Sequence, residues 1–166
     1  MSDELKVGQQ IVHPRYGAGT ITSVRAGGDH EPPGRYYVID IPSMGMKVHL
    51  PVERLEAVQA RNLASADHIA GALSVLSSPG AALPKDARER CTALAEAMAD
   101  GAVRSLATVI RDLNLLQRTK SLSMRESSML TQAKHQLAGE LALVTGTEVA
   151  EALRRIDSTL SRALAT

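Results

Sequence analysis

Residues 6–21 read KVGQQIVHPRYGAGTI, and they decide the fold of the amino-terminal part of the chain. Ile11 lies in a short β pattern, which Pro14 interrupts because proline has no backbone donor and a fixed φ. Gly17 and Gly19 provide the backbone freedom that a tight bend requires, and period-two alternation resumes after them. The stretch therefore predicts two short strands joined by a tight turn.

The first 60 residues continue this β pattern. Short alternating segments are separated by turn residues, and the Gly/Pro-rich stretch 26–34 predicts an exposed hairpin loop. The predicted strands are Gln10–His13, Gly19–Arg25, Tyr36–Ile41 and Lys47–Leu50, with a possible fifth at Glu56–Gln59. Strands of this length and spacing are typical of a small antiparallel barrel of the Tudor or SH3 kind.

From about residue 65 the apolar period becomes helical. Ser65 and the capping box Ser123-x-x-Glu126 predict helix starts, and Asp100-Gly101 predicts a helix end. A further helix is predicted to begin near Pro84 and to carry Cys91 on its apolar stripe. About five helices with short connections predict a compact bundle. The fold class is therefore α+β, with a β domain at 1–60 and a helical domain at 61–166.

Composition narrows the possible functions. The 19 Lys and Arg against 18 Asp and Glu leave a net charge of +1, so any affinity for nucleic acid must come from a local patch. The single cysteine, Cys91, fits a reducing compartment. No apolar run reaches the roughly 18 residues of a membrane span, and the first residues lack a secretory pattern. These features predict a soluble, cytoplasmic protein.

Signals of catalysis or metal binding are weak. The five histidines share no metal-ligand spacing, and the glycines of residues 17–19 are not followed by the Lys-Ser/Thr pair of a phosphate loop. Cys91 is interpreted as a packing residue. The sequence predicts no enzyme activity, no cofactor and no metal site. His49 alternates with apolar neighbours and is expected to point outward, either as a contact or as an idle solvated side chain.

Charged residues on the predicted helices allow two interpretations. Lys85, Arg88 and Arg90 form a positive cluster near the start of the second helix, but Asp86 and Glu89 interrupt it. A mixed, solvated surface is therefore the alternative to a binding patch. Arg111-Asp112 is a candidate ion pair between neighbouring helices. Lys134, His135, Arg154 and Arg155 would extend the basic surface if the helices align.

Several motifs, in order, resemble the CarD/CdnL family of bacterial transcription regulators. In the first half they are Val7-Gly8, His13-Pro14-x-Tyr16-Gly17, Tyr36-Tyr37-Val38, Val48-His49-Leu50-Pro51 and Val58-x-x-Arg61. In the second half they are Asp100-Gly101, Val109-Ile110-Arg111-Asp112-Leu113, Leu122-Ser123 with Glu126, Met129-Leu130 with Ala133, and Gly139-Glu140-Leu141-Ala142-Leu143. The first half is also similar to the polymerase-interacting domain of transcription-repair coupling factors.

The resemblance implies two partners. The β domain is expected to bind the β subunit of RNA polymerase through an exposed strand edge, by strand addition. By position, the implied polymerase-binding residues are Arg25, Lys47, Val48 and His49. Many family members have arginine at the position of His49, so this contact is expected to be weaker or sensitive to pH.

The helical domain is expected to contact promoter DNA beside the melted region. Arg88 and Arg90 fall where the family presents basic residues, and Lys85 and Lys134 are expected to extend that surface. Where members commonly carry a tryptophan that wedges into the minor groove, this chain has Ala87, which is too small for that role. The resemblance therefore implies a divergent regulator with weak, polymerase-dependent DNA contact. The alternative is an adaptor that binds protein through the β domain and binds no DNA.

Overall fold

Four antiparallel strands pair in chain order to form an open sheet. The computed structural model describes residues 4–165 and contains β1 (Gln10–His13), β2 (Gly17–Ala26), β3 (Arg35–Ile41) and β4 (Met46–Pro51). The four strands predicted from the sequence are confirmed to within two residues at each end. β1 and β4 form the two edges of the sheet and do not pair with each other, so the term barrel describes it only loosely.

The predicted fifth strand at Glu56–Gln59 is wrong. A short 3-10 helix, Val52–Arg54, is followed by turns in which the amide of Val58 donates to the carbonyl of Arg54 at 3.0 Å. These local bonds satisfy the backbone without a ladder. Gln59 then adopts a left-handed conformation, with φ of 58°, and Arg61 pairs with Val12 of β1.

The sheet has one strongly apolar face. Tyr37, Ile39 and Ile41 alternate along β3 and pack with Ile21 of β2 and Leu50 of β4. These three residues follow the period of two of a strand, and Tyr36 and Val38 on the opposite face of β3 are buried as well, so β3 is covered on both sides. With Phe and Trp absent from the sequence, four isoleucines, Leu50 and Tyr37 are the buried members of this small core.

Five helices follow the sheet, as predicted. They are α1 (Ala66–Leu76), α2 (Ala87–Met98), α3 (Val103–Thr119), α4 (Met124–Thr145) and α5 (Val149–Ala165). Ser65 caps α1 and Ser123 caps α4, each by accepting a backbone N–H three residues later. α2 begins three residues after the predicted Pro84, because Asp86 accepts from the amide of Glu89 and acts as its N-cap.

The helical core lies between α3 and α4, which both contain long buried stripes. Leu106, Ile110 and Leu113 of α3 meet Leu137 and Leu141 of α4 at close to zero exposure. Cys91 of α2 is buried in the same core, so its interpretation as a packing residue is confirmed. Over residues 4–165, none of these helices combines the length and apolarity that crossing a membrane would need.

Two turns of the sheet dock on α4. The side-chain amide of Gln136 donates to the carbonyl of Arg15 in the β1–β2 turn at 2.6 Å. In the β3–β4 turn, the carbonyl of Ser43 lies 3.1 Å from Nδ1 of His135. A Cβ on Gly139 would come within 2.7 Å of the Ser43 hydroxyl, so only glycine allows this approach.

Arg61 completes the junction between the sheet and the helices. Its guanidinium makes a bidentate ion pair with Glu140 of α4, at 2.7 and 2.8 Å, and also donates to the carbonyl of Gly101. Glu140 is 1 % exposed and accepts a further bond from the amide of Ala64. The predicted boundary at residue 60 remains a prediction, but this clasp holds the two parts in one orientation.

Candidate interaction surfaces

The edge of β4 is open to a partner strand. Each residue from Met46 to Pro51 pairs with β3 on one side, and within residues 4–165 no backbone hydrogen bond engages the other side. The opposite edge of the sheet differs, because Arg61 exchanges two backbone hydrogen bonds with Val12 of β1. Of the two edges, β4 is therefore the one with unused donors and acceptors.

Side chains of β4 alternate between the core and the solvent. Lys47 and His49 are exposed on one face, whereas Val48 packs half-buried against the sheet core. The expectation that His49 points outward is confirmed. A strand added to β4 would therefore meet two polar side chains of the same face.

Arg25 reaches the same face from β2 and lies in a polar cluster. Its guanidinium donates to Glu31 at 2.6 Å, contacts Nδ1 of His49, and lies 5.2 Å from the ring centroid of Tyr36. Glu31 comes from the Gly/Pro-rich loop 26–34 and also accepts from the amide of Gly28. The loop therefore folds back over the sheet, and we name these four side chains the Arg25 cluster.

Charge pairing dominates the Arg25 cluster. The hydrogen bond from Arg25, followed by that from the backbone of Gly28, lowers the pKa of Glu31 to about 2. Glu31 is therefore ionised across the physiological pH range and compensates the charge of Arg25. The free cation on this face is Lys47, for which no ion pair is found among the described residues.

Arg90 differs from the sequence interpretation. It is 2 % exposed, and its guanidinium pairs with Glu126 of α4 through bonds of 3.0 and 3.2 Å. Two further bonds reach the carbonyls of Pro84 and Lys85 at 3.1 Å. Arg90 is thus a buried tie between α2, α4 and the loop before α2, and its charge is not available to phosphate.

Near the buried Arg90–Glu126 ion pair, exposed cations are found at three helix ends. Lys85 precedes α2 and lines, with Lys120 at the end of α3, a depression of about 470 Å³ whose wall also includes Arg90. Arg88 is exposed on the first turn of α2, and Arg125 is exposed on the first turn of α4. We call this the helix-end surface. It comprises Lys85, Arg88, Lys120 and Arg125, together with the exposed first residues of α2 and α4, Ala87 and Met124.

Acidic groups reduce the charge of the helix-end surface without cancelling it. Asp86 and Glu89 are exposed on α2, and Asp86 serves as the N-cap. Asp112 lines the depression but is buried and paired with Arg111. The four exposed cations therefore outnumber the two exposed carboxylates, so the helix-end surface has a modest net positive charge.

The basic surface predicted on the later helices is not continuous. Lys134 pairs with Asp157 of α5 at 2.9 Å, and His135 faces the β3–β4 turn. Arg154 and Arg155 are exposed on α5. Arg111 and Asp112 form the predicted ion pair, but they tie α3 to the loop between α1 and α2 through Ser78 and Ala81.

Three members of the helix-end surface were missed by sequence reasoning. Lys120 and Arg125 lie 32 or more residues from Arg88 in the chain, and only the packing of the helices brings them together. Met124 did carry a sequence signal. It is an apolar residue that directly follows the N-cap Ser123, and it lies outside the apolar stripe of α4 that begins at Leu130.

Comparison with known proteins agrees with this two-part organisation. Residues 5–61 match the family described as CarD-like/TRCF RID domain, and residues 71–157 match the family described as CarD, C-terminal domain. Together the two matches cover the sheet and most of the five helices.

A relative supports the same relationship over most of the chain. The Bacillus subtilis (strain 168) protein named "Putative transcription factor YdeB" is 24% identical over 141 residues. The alignment covers 85% of this chain and 92% of that protein. Both parts of the chain therefore have counterparts in one relative.

Proposed function

The chain belongs to the CarD family of transcription regulators, and from that premise we propose that it binds the β subunit of RNA polymerase through the β4 edge. A role in transcription follows from the family, which is one of transcription factors and not of enzymes. The finer proposal concerns the partner and the surface. One observation carries it, namely the unpaired backbone of β4, flanked by Lys47 and His49.

Strand addition explains why this edge suits a protein partner. Main-chain hydrogen bonds provide affinity with little demand on sequence, and side chains beside the strand provide specificity. Lys47 offers a free positive charge, and the Arg25 cluster offers a guanidinium already oriented by Glu31 and Tyr36. A carboxylate on the partner strand would find both cations on the same face.

Polymerase binding would make a weak DNA contact effective. The helix-end surface has few net charges, so we expect low affinity for free DNA. The Arg61–Glu140 clasp fixes this surface relative to the β4 edge. Once the sheet is bound, tethering raises the effective concentration of DNA at the helices to roughly millimolar. We therefore propose that the protein acts on the promoter open complex.

A pull-down with the outer lobe of the β subunit tests the proposal. Wild type, Lys47→Glu and His49→Glu are compared, with Arg118→Glu as the matched control because Arg118 is exposed on α3, outside the sheet. We expect both β4 variants to lose binding and the control to bind as wild type does. Equal binding by all four proteins would exclude the chosen surface, and no binding by wild type would exclude the function.

The contribution of the Arg25 cluster is tested by Glu31→Gln. This change removes the carboxylate that compensates Arg25 but leaves the shape of the side chain nearly unchanged. If a partner carboxylate competes with Glu31 for Arg25, the variant will bind the lobe more tightly. Tighter binding that Arg25→Gln abolishes would locate the effect at this guanidinium, whereas unchanged binding would exclude Arg25 from the interface.

The adaptor function is the second candidate, and two observations favour it. Arg90 is buried and Lys134 is paired, so two of the five predicted DNA residues have compensated charges. Binding to a forked promoter duplex at low salt, with and without polymerase, discriminates between the candidates. Loss of binding in Arg88→Glu and Arg125→Glu supports DNA contact, and no detectable binding by wild type supports the adaptor.

A further inference from the structure

A cleft of about 410 Å³ opens between the sheet part of the chain and the helices. The β1–β2 turn contributes His13, Pro14 and Arg15 to its wall, and the helices contribute Met98 of α2 and Met129 of α4. This volume lies within the roughly 300–1,000 Å³ of small-molecule sites in proteins. The cleft shares no residue with the β4 edge or with the helix-end surface, so neither proposed contact accounts for it.

His13 carries an unused hydrogen-bond donor. Its Nδ1 accepts from the backbone amides of Arg15 at 3.1 Å and Tyr16 at 3.4 Å. Burial, followed by the positive charge of Arg15, lowers the pKa of His13, so the ring is neutral at pH 7. A neutral imidazole whose Nδ1 accepts carries its proton on Nε2. No acceptor for this N–H is found among the described residues, although His13 is only 9 % exposed.

The N–H of His13 is not sealed inside the protein. Within residues 4–165 the Ser43 hydroxyl is the one fully enclosed side-chain polar group that lacks a partner, so Nε2 of His13 still reaches open space. His13 lines the cleft, and a largely buried donor without an acceptor is unfavourable. A molecule in the cleft that supplied an acceptor would remove this cost.

The charges of the cleft favour an anionic acceptor. The guanidinium of Arg15 makes no ion pair within the part of the chain that the structure describes. It lies 5.5 Å from the ring centroid of Tyr16, whose ring packs against that of His13 at 4.7 Å between centroids. The described residues that line the cleft include no acidic side chain, and Gln132 adds an exposed amide. A carboxylate would therefore meet a cation and neutral donors without a competing anion.

The rest of the wall is apolar. Met98 and Met129 are buried, and Val58, Ala95 and Ala99 complete this part of the cleft. Methionine side chains are flexible and polarisable, so they adapt to a chain of irregular conformation. An elongated hydrocarbon suits this wall.

Contacts between the β1–β2 turn and the helices hold the walls in place. The side-chain amide of Gln136 donates to the carbonyl of Arg15 at 2.6 Å. A Cβ on Gly101 would lie 2.9 Å from Cα of Pro14, which shows how closely the turn approaches the end of α2. A preformed site spares its ligand the entropic cost of ordering the protein.

We propose that this cleft binds a medium-chain carboxylate, whose head group accepts from Nε2 of His13 and faces Arg15 and whose hydrocarbon chain lies against Met98 and Met129. Such a ligand contacts both the sheet part and the helices. Its binding therefore stabilises their docked orientation, which sets the position of the β4 edge relative to the helix-end surface. This site goes beyond the proposed function and does not depend on polymerase binding.

Calorimetric titration of the full-length chain at pH 7 with hexanoate, octanoate and octanamide tests the proposal. Each buried methylene should strengthen binding about fourfold, so octanoate should bind about fifteenfold more tightly than hexanoate. Octanamide has the same chain without the charge and should bind about threefold to fivefold less tightly than octanoate. Equal binding of octanoate and octanamide would overturn the assignment of a carboxylate, and no binding of octanoate would overturn the site.

Ala95→Phe fills the cleft from its rim. Ala97→Phe is the matched control, because Ala97 is also exposed on α2 but does not line the cleft. Both positions are exposed, so both variants should fold. We expect Ala95→Phe to weaken octanoate binding at least tenfold and the control to bind as wild type does. Equal binding by the two variants would place octanoate elsewhere on the protein and overturn the proposal.

His13→Asn tests the donor. Asparagine offers Oδ1 to the amides of Arg15 and Tyr16 but lacks Nε2–H, so octanoate should bind about tenfold less tightly. In the wild type, a long-range ¹H–¹⁵N correlation spectrum should show the proton on Nε2 and a shift of that nitrogen when octanoate is added. A proton on Nδ1, or an Nε2 resonance that octanoate does not move, would exclude this donor even if the variant does not fold.

Discussion

Replacing Arg90 with methionine separates a structural role from a DNA-binding role. In the wild type Arg90 makes four hydrogen bonds, two to Glu126 and two to backbone carbonyls, and both members of the pair are almost fully buried. Methionine keeps much of the apolar volume but none of the donors. The variant therefore leaves the Glu126 carboxylate buried without its cation.

The expected loss of stability is large. Removing one partner of a buried ion pair costs about 3–5 kcal/mol, because the remaining charge stays uncompensated. A chain of this length loses about 2–4 °C of Tm per kcal/mol, so we expect Tm to fall by about 10 °C. Domains are typically stable by about 5–15 kcal/mol, so the variant should still fold.

The loss should depend on pH, with opposite signs in the two proteins. In the wild type, the hydrogen bond from Arg90 holds the pKa of Glu126 below its usual 4.5. Its contribution to stability is complete above the unfolded pKa and is lost as pH falls through the folded one. In Arg90→Met, burial raises the pKa of Glu126 instead, so stability is lost as pH rises. The deficit of the variant should therefore shrink between pH 7 and about pH 4.5.

Urea unfolding followed by circular dichroism at both pH values measures this deficit. Arg88→Met is the matched control, because it removes a guanidinium from the same helix at an exposed position. The double variant Arg90→Met with Glu126→Met should recover most of the stability, since a buried pair can be replaced by apolar side chains at little cost. A deficit below about 1 kcal/mol, or one equal to that of Arg88→Met, would refute the buried role.

Three further variants test the junction and the helix starts. Arg61→Met leaves Glu140 buried without its cation and should lower the free energy of unfolding in urea by about 2–4 kcal/mol. The loss should be smaller than in Arg90→Met because Arg61 is partly solvated. Recovery of stability in the double variant with Glu140→Met would identify the ion pair as the cause. Gly139→Ala places a Cβ 2.7 Å from the Ser43 hydroxyl, which should lower the free energy of unfolding by about 1–3 kcal/mol and speed proteolysis between the sheet and the helices. A variant that is cleaved at the wild-type rate would exclude tight docking of the β3–β4 turn on α4. Ala87→Trp should lengthen the life of the open complex if the helix-end surface meets DNA, and an unchanged lifetime would count against that contact.

Much of the fold could be predicted from the sequence because its signals are local. The caps Ser65 and Ser123 each act within three residues, and the strand β1 begins and ends where alternation and Pro14 predict. The reliance on local signals also explains why the strand predicted at Glu56–Gln59 was wrong. Four residues contain too few periods to distinguish a strand from a run of turns, and here the i–3 and i–4 hydrogen bonds prevail.

The candidate sites were predicted less well, since a side chain's availability depends on distant partners. Arg88 and Arg90 look alike in sequence, yet Arg90 meets Glu126, which lies 36 residues away. Arg25 likewise meets Glu31 only because the loop 26–34 folds back on the sheet. Charge type and helix position were local information, whereas burial and pairing were not.

The sequence by itself determined the two-part order, the strands and helices and the apolar stripes, because hydrophobic period and capping act over a few residues. Tertiary structure alone decided which sheet edge stays open, since Arg61 pairs with β1 and leaves β4 free. It also decided that Arg90 is buried against Glu126 and that Met124 is exposed. Both outcomes depend on how α2 and α4 pack, and that packing is settled by the burial of whole helix faces.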